Sequence, residues 1–202
     1  MTLLAAGGGE TALMVLLGVG AAGMIAVVVI YNRLVSLRTR VRESWSGIDT
    51  ELKRRHNLIP NLVQTVKGYG AHEREVLEGV VELRGSAQRR LQADDPDPDN
   101  VADGERELGD GVSRLIALAE KYPQLKADEH FRRLMEELAL TEDRIQAARR
   151  FYNANVRDLN NLVQMFPSNL IANASGFERA RFFELPSAAE RIAPPVECGP
   201  DD

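Results

Sequence analysis

Residues 131–166 read FRRLMEELALTEDRIQAARRFYNANVRDLNNLVQMF, and this stretch decides the fold. Phe131, Leu134, Leu138, Thr141, Ile145, Ala148, Tyr152, Asn155, Leu159, Leu162 and Phe166 alternate steps of three and four without a slip. Residues three and four apart share one face of an α-helix, so the period is helical. At about 1.5 Å per residue the predicted helix is roughly 60 Å long. Pro167 ends it. An apolar seam of that length must be covered, and helices joined by short links cover one another as an antiparallel bundle. Thr141 and Asn155 are polar intrusions in the seam. A buried Asn in such a place fixes register at some expense in stability; a ligand site is the other reading.

Upstream, the same period recurs. Leu108, Val112, Leu115 and Ala119 form one stripe of a helix that ends at Lys121-Tyr122-Pro123. Before it, residues 92–104 hold five aspartates and two prolines, a composition that reads as an exposed acidic linker. They lack the Gly and terminal Glu of a calcium loop at their spacing. Leu62, Val66, Tyr69, Val76, Val80, Leu83 and Ala87 predict another helix, with Glu73 as a charged interruption and a kink near Tyr69 between Gly68 and Gly70. Asn57-Leu58-Ile59-Pro60 is expected to separate it from an earlier helix carrying Leu34, Leu37, Val41, Trp45, Ile48 and Leu52. The residue before proline avoids helical geometry, and proline suits a first turn.

That earlier helix continues from Thr11–Tyr31, TALMVLLGVGAAGMIAVVVIY, a run without charge. It is long enough to cross a hydrocarbon layer of roughly 30 Å. Ten of its residues are Leu, Ile or Val, each favouring insertion. A cleaved secretory signal fits poorly, because no Lys or Arg precedes the run and its end at residues 26–30 is bulky. Glu10 lies before it, whereas Arg33, Arg38, Arg40 and Arg42 follow, which places the C-terminal side in the cytoplasm. Residues 1–10 are then a short external tail, 11–31 the transmembrane helix and 32–185 a cytoplasmic bundle. Residues 186–202 form a disordered C-terminal tail. The four arginines set topology. Arg40 and Arg42 would also hold the bundle to an anionic leaflet if the helix tilts or bends near Asn32.

Net charge is −5, so no global basic field points to nucleic acid. The only cysteine, Cys198, excludes an intramolecular disulfide framework and any multi-cysteine metal site. The fold class is therefore all-α: an N-terminal transmembrane helix followed by an antiparallel bundle of long helices.

Several motifs in one order resemble the LemA family. They are Tyr31-Asn32-Arg33-Leu34-Val35, the run from Leu52 through Arg54-Arg55-His56 to Pro60-Asn61-Leu62-Val63, and Val66-Lys67-Gly68-Tyr69. Glu120-Lys121-Tyr122-Pro123-Gln124-Leu125-Lys126-Ala127 and Thr141-Glu142-Asp143-Arg144-Ile145 follow. Ala148-Arg149-Arg150-Phe151-Tyr152-Asn153 with Val156, then Phe166-Pro167-Ser168-Asn169 and Gly176-Phe177, complete the set. The resemblance covers Tyr31 to Phe183. It implies a bacterial inner-membrane protein with one N-terminal membrane helix and a cytoplasmic four-helix bundle, for which no catalytic residues are established. Family genes often lie beside that of a membrane zinc protease, an association with envelope stress, and some members occur in specialised membranes. The chain departs from the family in its acidic linker and in Pro195-Val196-Glu197-Cys198, where the family often closes Pro-x-Val-x-Phe.

No site chemistry stands out. His56, His72 and His130 are dispersed, with no pair at helical ligand spacing. Nucleophile elbows, phosphate loops and zinc-protease helices have no match. Glu142 and Asp143 with Arg144, and Arg149-Arg150, read as helix-surface ion pairs. Arg54, Arg55 and Asn61 form the most marked polar cluster, either capping a helix junction or docking a partner. No catalytic residue, cofactor or metal is expected, and the chain is not expected to be an enzyme. Two functions follow: a membrane-anchored scaffold or adaptor, or a regulatory partner of a membrane protease or stress-signalling system. The expected partners are membrane lipids, a second copy of the chain and a membrane protease.

Overall fold

The computed structural model describes residues 6–70 and 73–185, and they are all-α, with no strand among them. Six helices follow in order: α1 Ala6–Tyr69, α2 Arg74–Leu91, α3 Pro98–Glu120, α4 Pro123–Ala127, α5 Glu129–Gln164 and α6 Ser168–Ala174. Cys198, His72 and the C-terminal tail at 186–202 lie outside the described residues. Of the expected external tail, residues 6–10 already belong to α1.

The chain divides into two compact units. The first comprises Met1–Glu43 and Ala154–Ala180. From Leu13 to Val29 every residue of α1 is exposed, and none is buried by protein. Burial begins abruptly with Leu34 and Leu37, which join Leu159, Val163, Ala172 and Phe177 in a small core. The α6 helix closes with the bonds of a Schellman turn: Phe177 N–H donates to Ala172 at 2.9 Å and Gly176 N–H to Asn173 at 3.4 Å. This turn holds Gly176 at φ +68°, where a side chain would be strained. It delivers Phe177 edge-on to Tyr31, with centroids 6.0 Å apart.

The second unit comprises Ser44–Asn153 and Arg181–Asp202. Its main core draws Ile59, Leu62 and Val66 from α1, Leu77 and Val80 from α2, Leu108, Val112 and Leu115 from α3, Leu125 from α4, and Phe131 and Leu134 from α5. α2 and α3 pack as an antiparallel hairpin. A Cβ on Gly104 would lie 3.3 Å from the Ala87 backbone, and one on Gly111 only 2.8 Å from Leu83. These two glycines, seven residues apart, let the helices approach closely.

Four expectations are corrected. First, α1 does not stop at Pro60 but runs through it to Tyr69. The proline lacks the N–H that the His56 carbonyl would accept in a helix, and Arg84 of α2 supplies that bond at 2.8 Å. Second, the break comes after Gly70, so Glu73 precedes α2 instead of interrupting a seam. Third, the acidic linker ends at Asp97 and not at residue 104. Asp97 caps α3 by accepting from Asp99 N–H at 3.2 Å, Pro98 takes the first turn, and Val101 and Ala102 are buried. Finally, α4 and α6 are helices that the periodicity missed; with five and seven residues they are too short to show a stripe.

Candidate functional site

The sequence singled out Arg54, Arg55 and Asn61, and the structure does not bring them together. Without a junction at Pro60 there is nothing for them to cap. Arg54 and Asn61 are exposed, while Arg55 is buried. The next residue, His56, is buried beside it, so one turn of α1 sends two basic side chains inward.

Both meet Glu105 of α3, which is fully buried. His56 Nε2 lies 2.6 Å from Glu105 Oε1, within hydrogen-bonding distance. Arg55 Nη1 stands 3.6 Å from Glu105 Oε2 and equally 3.6 Å from Glu142 Oε2 of α5. Glu142 also accepts from Gln146 at 3.0 Å. With Arg84 on the His56 carbonyl, one polar network joins α1, α2, α3 and α5. Glu142 is therefore no simple surface ion pair, contrary to the helical reading of its neighbourhood. Beside the network a cleft of about 400 Å³ opens between α3 and α5, lined by Arg55, Val112, Ile116, Met135, Leu138 and Glu142.

A His–Glu pair can hold and pass a proton. Here Nε2 is committed to the carboxylate, and His56 is only 2% exposed. The arrangement is suited to fixing four helices in one register. A buried charge that loses its partner is strongly destabilising, which penalises misaligned packings.

A second polar device sits on α5. Asn153 donates to the Phe183 carbonyl at 3.0 Å and accepts its N–H at 2.9 Å. Tyr152 donates to the Arg181 carbonyl at 3.0 Å, and Arg149 to that of Leu185. Phe183 is thereby buried edge-on against Trp45, at 5.4 Å between centroids. Burial, with the negative charge of Asp99 added, pushes the Tyr152 hydroxyl up to about 12. In the first unit Asn160 holds Ala180 in the same two-bonded way, at 2.9 and 2.8 Å. Asn155, the expected buried intrusion, is only half-buried, whereas Asn160 is buried. Thr141 is buried and satisfied internally, donating to Glu137 at 2.7 Å.

The start of α5 carries a third contact. Asp128 accepts the Phe131 N–H at 2.8 Å and the Tyr69 hydroxyl at 3.0 Å. The Phe131 amide, then Tyr69, hold the Asp128 carboxyl below its ordinary value, and the same bond raises the tyrosine. Tyr69, expected on the apolar seam, is in fact exposed.

These features sit on a recognisable sequence background, since the LemA family model matches residues 44–197. The chain belongs to the LemA family. Among its relatives is Magnetosome protein MamQ 2 of Paramagnetospirillum magneticum, 27% identical across 89% of this chain and 74% of the relative. Protein LemA of Metamycoplasma hominis is 24% identical across 80% of this chain and 71% of its own length. LemA membership and the exposed apolar stretch of α1 make this a membrane-associated protein. Sequence alone does not mark His56, Glu105, Arg84 or Asn153 as site residues, because their partners lie far along the chain and no local period reports them.

Proposed function

We propose that this LemA-family chain is a non-enzymatic, membrane-anchored helical scaffold or adaptor at the cytoplasmic face of the bacterial inner membrane. One observation carries the reading. α1 passes without a break from Leu13–Val29, all exposed, to Leu34 and Leu37, which are buried. An anchor and a folded surface are thus one rigid element, a construction suited to presenting helices at a fixed place on a membrane. The arginines after Tyr31 support an outside N-terminus and a cytoplasmic C-terminal domain. Relatives named as magnetosome proteins support a membrane setting.

Crosslinking in cells from exposed positions of α2 and α3, with protease protection in spheroplasts, tests this. A protected C-terminal domain that crosslinks mainly to itself and to lipid is the expected result. Recovery of one stoichiometric membrane protease would replace the scaffold with a regulatory partner. Digestion of the C-terminal domain from outside would overturn the orientation.

A further inference from the structure

We propose that the corner between α5 and α6 seats in the lipid headgroups, where Arg33 and Arg40 bind the phosphate of an anionic phospholipid. The inference rests on the reading of Thr11–Tyr31 as a membrane span.

Depth is the first argument. Protein packing starts at the very end of the span, since Ile30 already lies against the core of Leu34, Leu37 and Phe177. Headgroups occupy roughly 5–8 Å on each side of the hydrocarbon. Four helical residues past Val29 climb about 6 Å, so Arg33 sits at that depth, while Arg40 starts about 10 Å further along α1 and reaches the same phosphate with its long side chain extended toward the helix N-terminus.

What packs there is the corner. A cleft of about 600 Å³ is lined by Ile30, Arg33 and Arg40 from α1, Asp158 from α5, and Phe166 and Pro167 from the turn. Around it Met165, Phe166 and Leu170 are 61%, 79% and 60% exposed. Three large apolar side chains within six residues, uncovered beside Arg33, suit burial at the headgroup–acyl boundary, as the apolar faces of interfacial segments do. Phe166, the last residue of the seam expected from sequence, lies past the end of α5 and is exposed.

Charge is the second argument, and the structure sorts the arginines. Arg33 and Arg40, seven residues apart, both line the cleft, and neither forms an ion pair among the described residues. Arg38 instead stands over the Phe177 ring at 5.8 Å. Asp158 is the one carboxylate among the lining residues, so the cleft keeps a positive excess. Guanidinium forks suit the two free oxygens of a phosphodiester, while their stems lie along apolar surface. The pair proposed is thus Arg33 with Arg40, whereas spacing along an upright helix brings Arg33 and Arg38 nearest the leaflet and Arg40 and Arg42 only on a tilt or bend.

The test uses the full chain reconstituted in vesicles of phosphatidylcholine, with or without phosphatidylglycerol. Phe166→Trp should be quenched by lipids brominated high on the acyl chain, to an extent that Trp45 of the parent protein does not show. Arg33→Gln with Arg40→Gln should keep insertion, through Arg38 and Arg42, but lose about tenfold in preference for phosphatidylglycerol, or about 1.4 kcal/mol. An inserted chain with unquenched Trp at position 166, or an unchanged lipid preference, would overturn the corner site alone. Displacement of phosphatidylglycerol by inorganic phosphate would make the cleft a general anion site and overturn the lipid assignment. Release of the parent chain by alkaline carbonate would instead sink the membrane span on which the inference rests.

Discussion

Arg84 donates its Nε–H to the carbonyl oxygen of His56 at 2.8 Å, the atom that Pro60 leaves without a helical donor. A proline inside a helix usually kinks or ends it. Here a side chain from the neighbouring helix replaces the missing backbone group, and α1 continues for nine more residues to Tyr69.

The two residues should therefore be coupled. Arg84→Met strands a part-buried carbonyl and should destabilise the chain by about 1–3 kcal/mol. In a Pro60→Ala background the backbone N–H returns, and the same change should matter much less. Denaturant titration of the detergent-solubilised protein, followed by helical circular dichroism, measures the cycle. Strict additivity of the two substitutions would refute the replacement.

Glu105 is the hub of the buried network, so its loss should outweigh that of any other member. Glu105→Ala leaves Arg55 and His56 without their shared partner and should lower stability by about 3–5 kcal/mol. Glu142→Gln, at a carboxylate 24% exposed, should cost about 1 kcal/mol or less. Equal effects in the same titration would argue against the hub.

The Asn153 clasp distinguishes shape from hydrogen bonding. Asn153→Asp keeps the acceptor for Phe183 N–H but removes the donor to its carbonyl. A loss of about 1–3 kcal/mol is expected, together with a red shift of Trp45 fluorescence as Phe183 leaves its ring.

Stability should also fall in alkali. The Tyr152 hydroxyl titrates near 12 in the folded protein, above the unfolded tyrosine value of about 10. Its contribution is complete below pH of about 10 and is lost as pH rises through the folded value. Tyr69, also raised by its bond to Asp128, adds to the same decline. Tyr152→Phe should flatten part of this limb, and Tyr69→Phe a further part. Asp128 works in the opposite window: its depressed carboxyl stabilises above pH of about 4 and ceases to do so on acidification through its folded value. Asp128→Asn should therefore blunt the acid limb of the melting-temperature profile.

Backbone geometry makes one more demand. Gly176→Ala forces a side chain onto φ +68° and should destabilise by about 1–2 kcal/mol, although nothing crowds that position in space. Gly47→Ala, equally uncrowded but within α1, should stabilise by about 0.5–1 kcal/mol. Opposite signs in the two melting curves are the signature.

Helical period made most of the fold legible. The α5 stripe from Phe131 to Leu162 is buried or half-buried, as its steps of three and four require. It failed at Phe166, because the turn at Pro167 swings that residue outward. It also failed at Pro60, where local chemistry predicts a break and a side chain 24 positions later prevents it. The candidate site was far less legible. Only Arg55 of the three marked residues turns inward, and Glu105 sits among charges that look like any solvated helix face. Asn153 and Asn160 lie off the seam that drew attention to Asn155. Long-range pairing leaves no period in a sequence.

Because α1 has no break between Val29 and Leu34, the azimuth of the apolar segment is locked to the first unit's core. A helix turns about 100° per residue, so positions seven apart lie nearly in line. Gly20 and Val27 thus share a meridian with Leu34, as Gly23 and Ile30 do with Leu37. The apolar segment is no featureless rod: the side that carries Gly20 and Gly23 keeps a fixed compass bearing relative to that core.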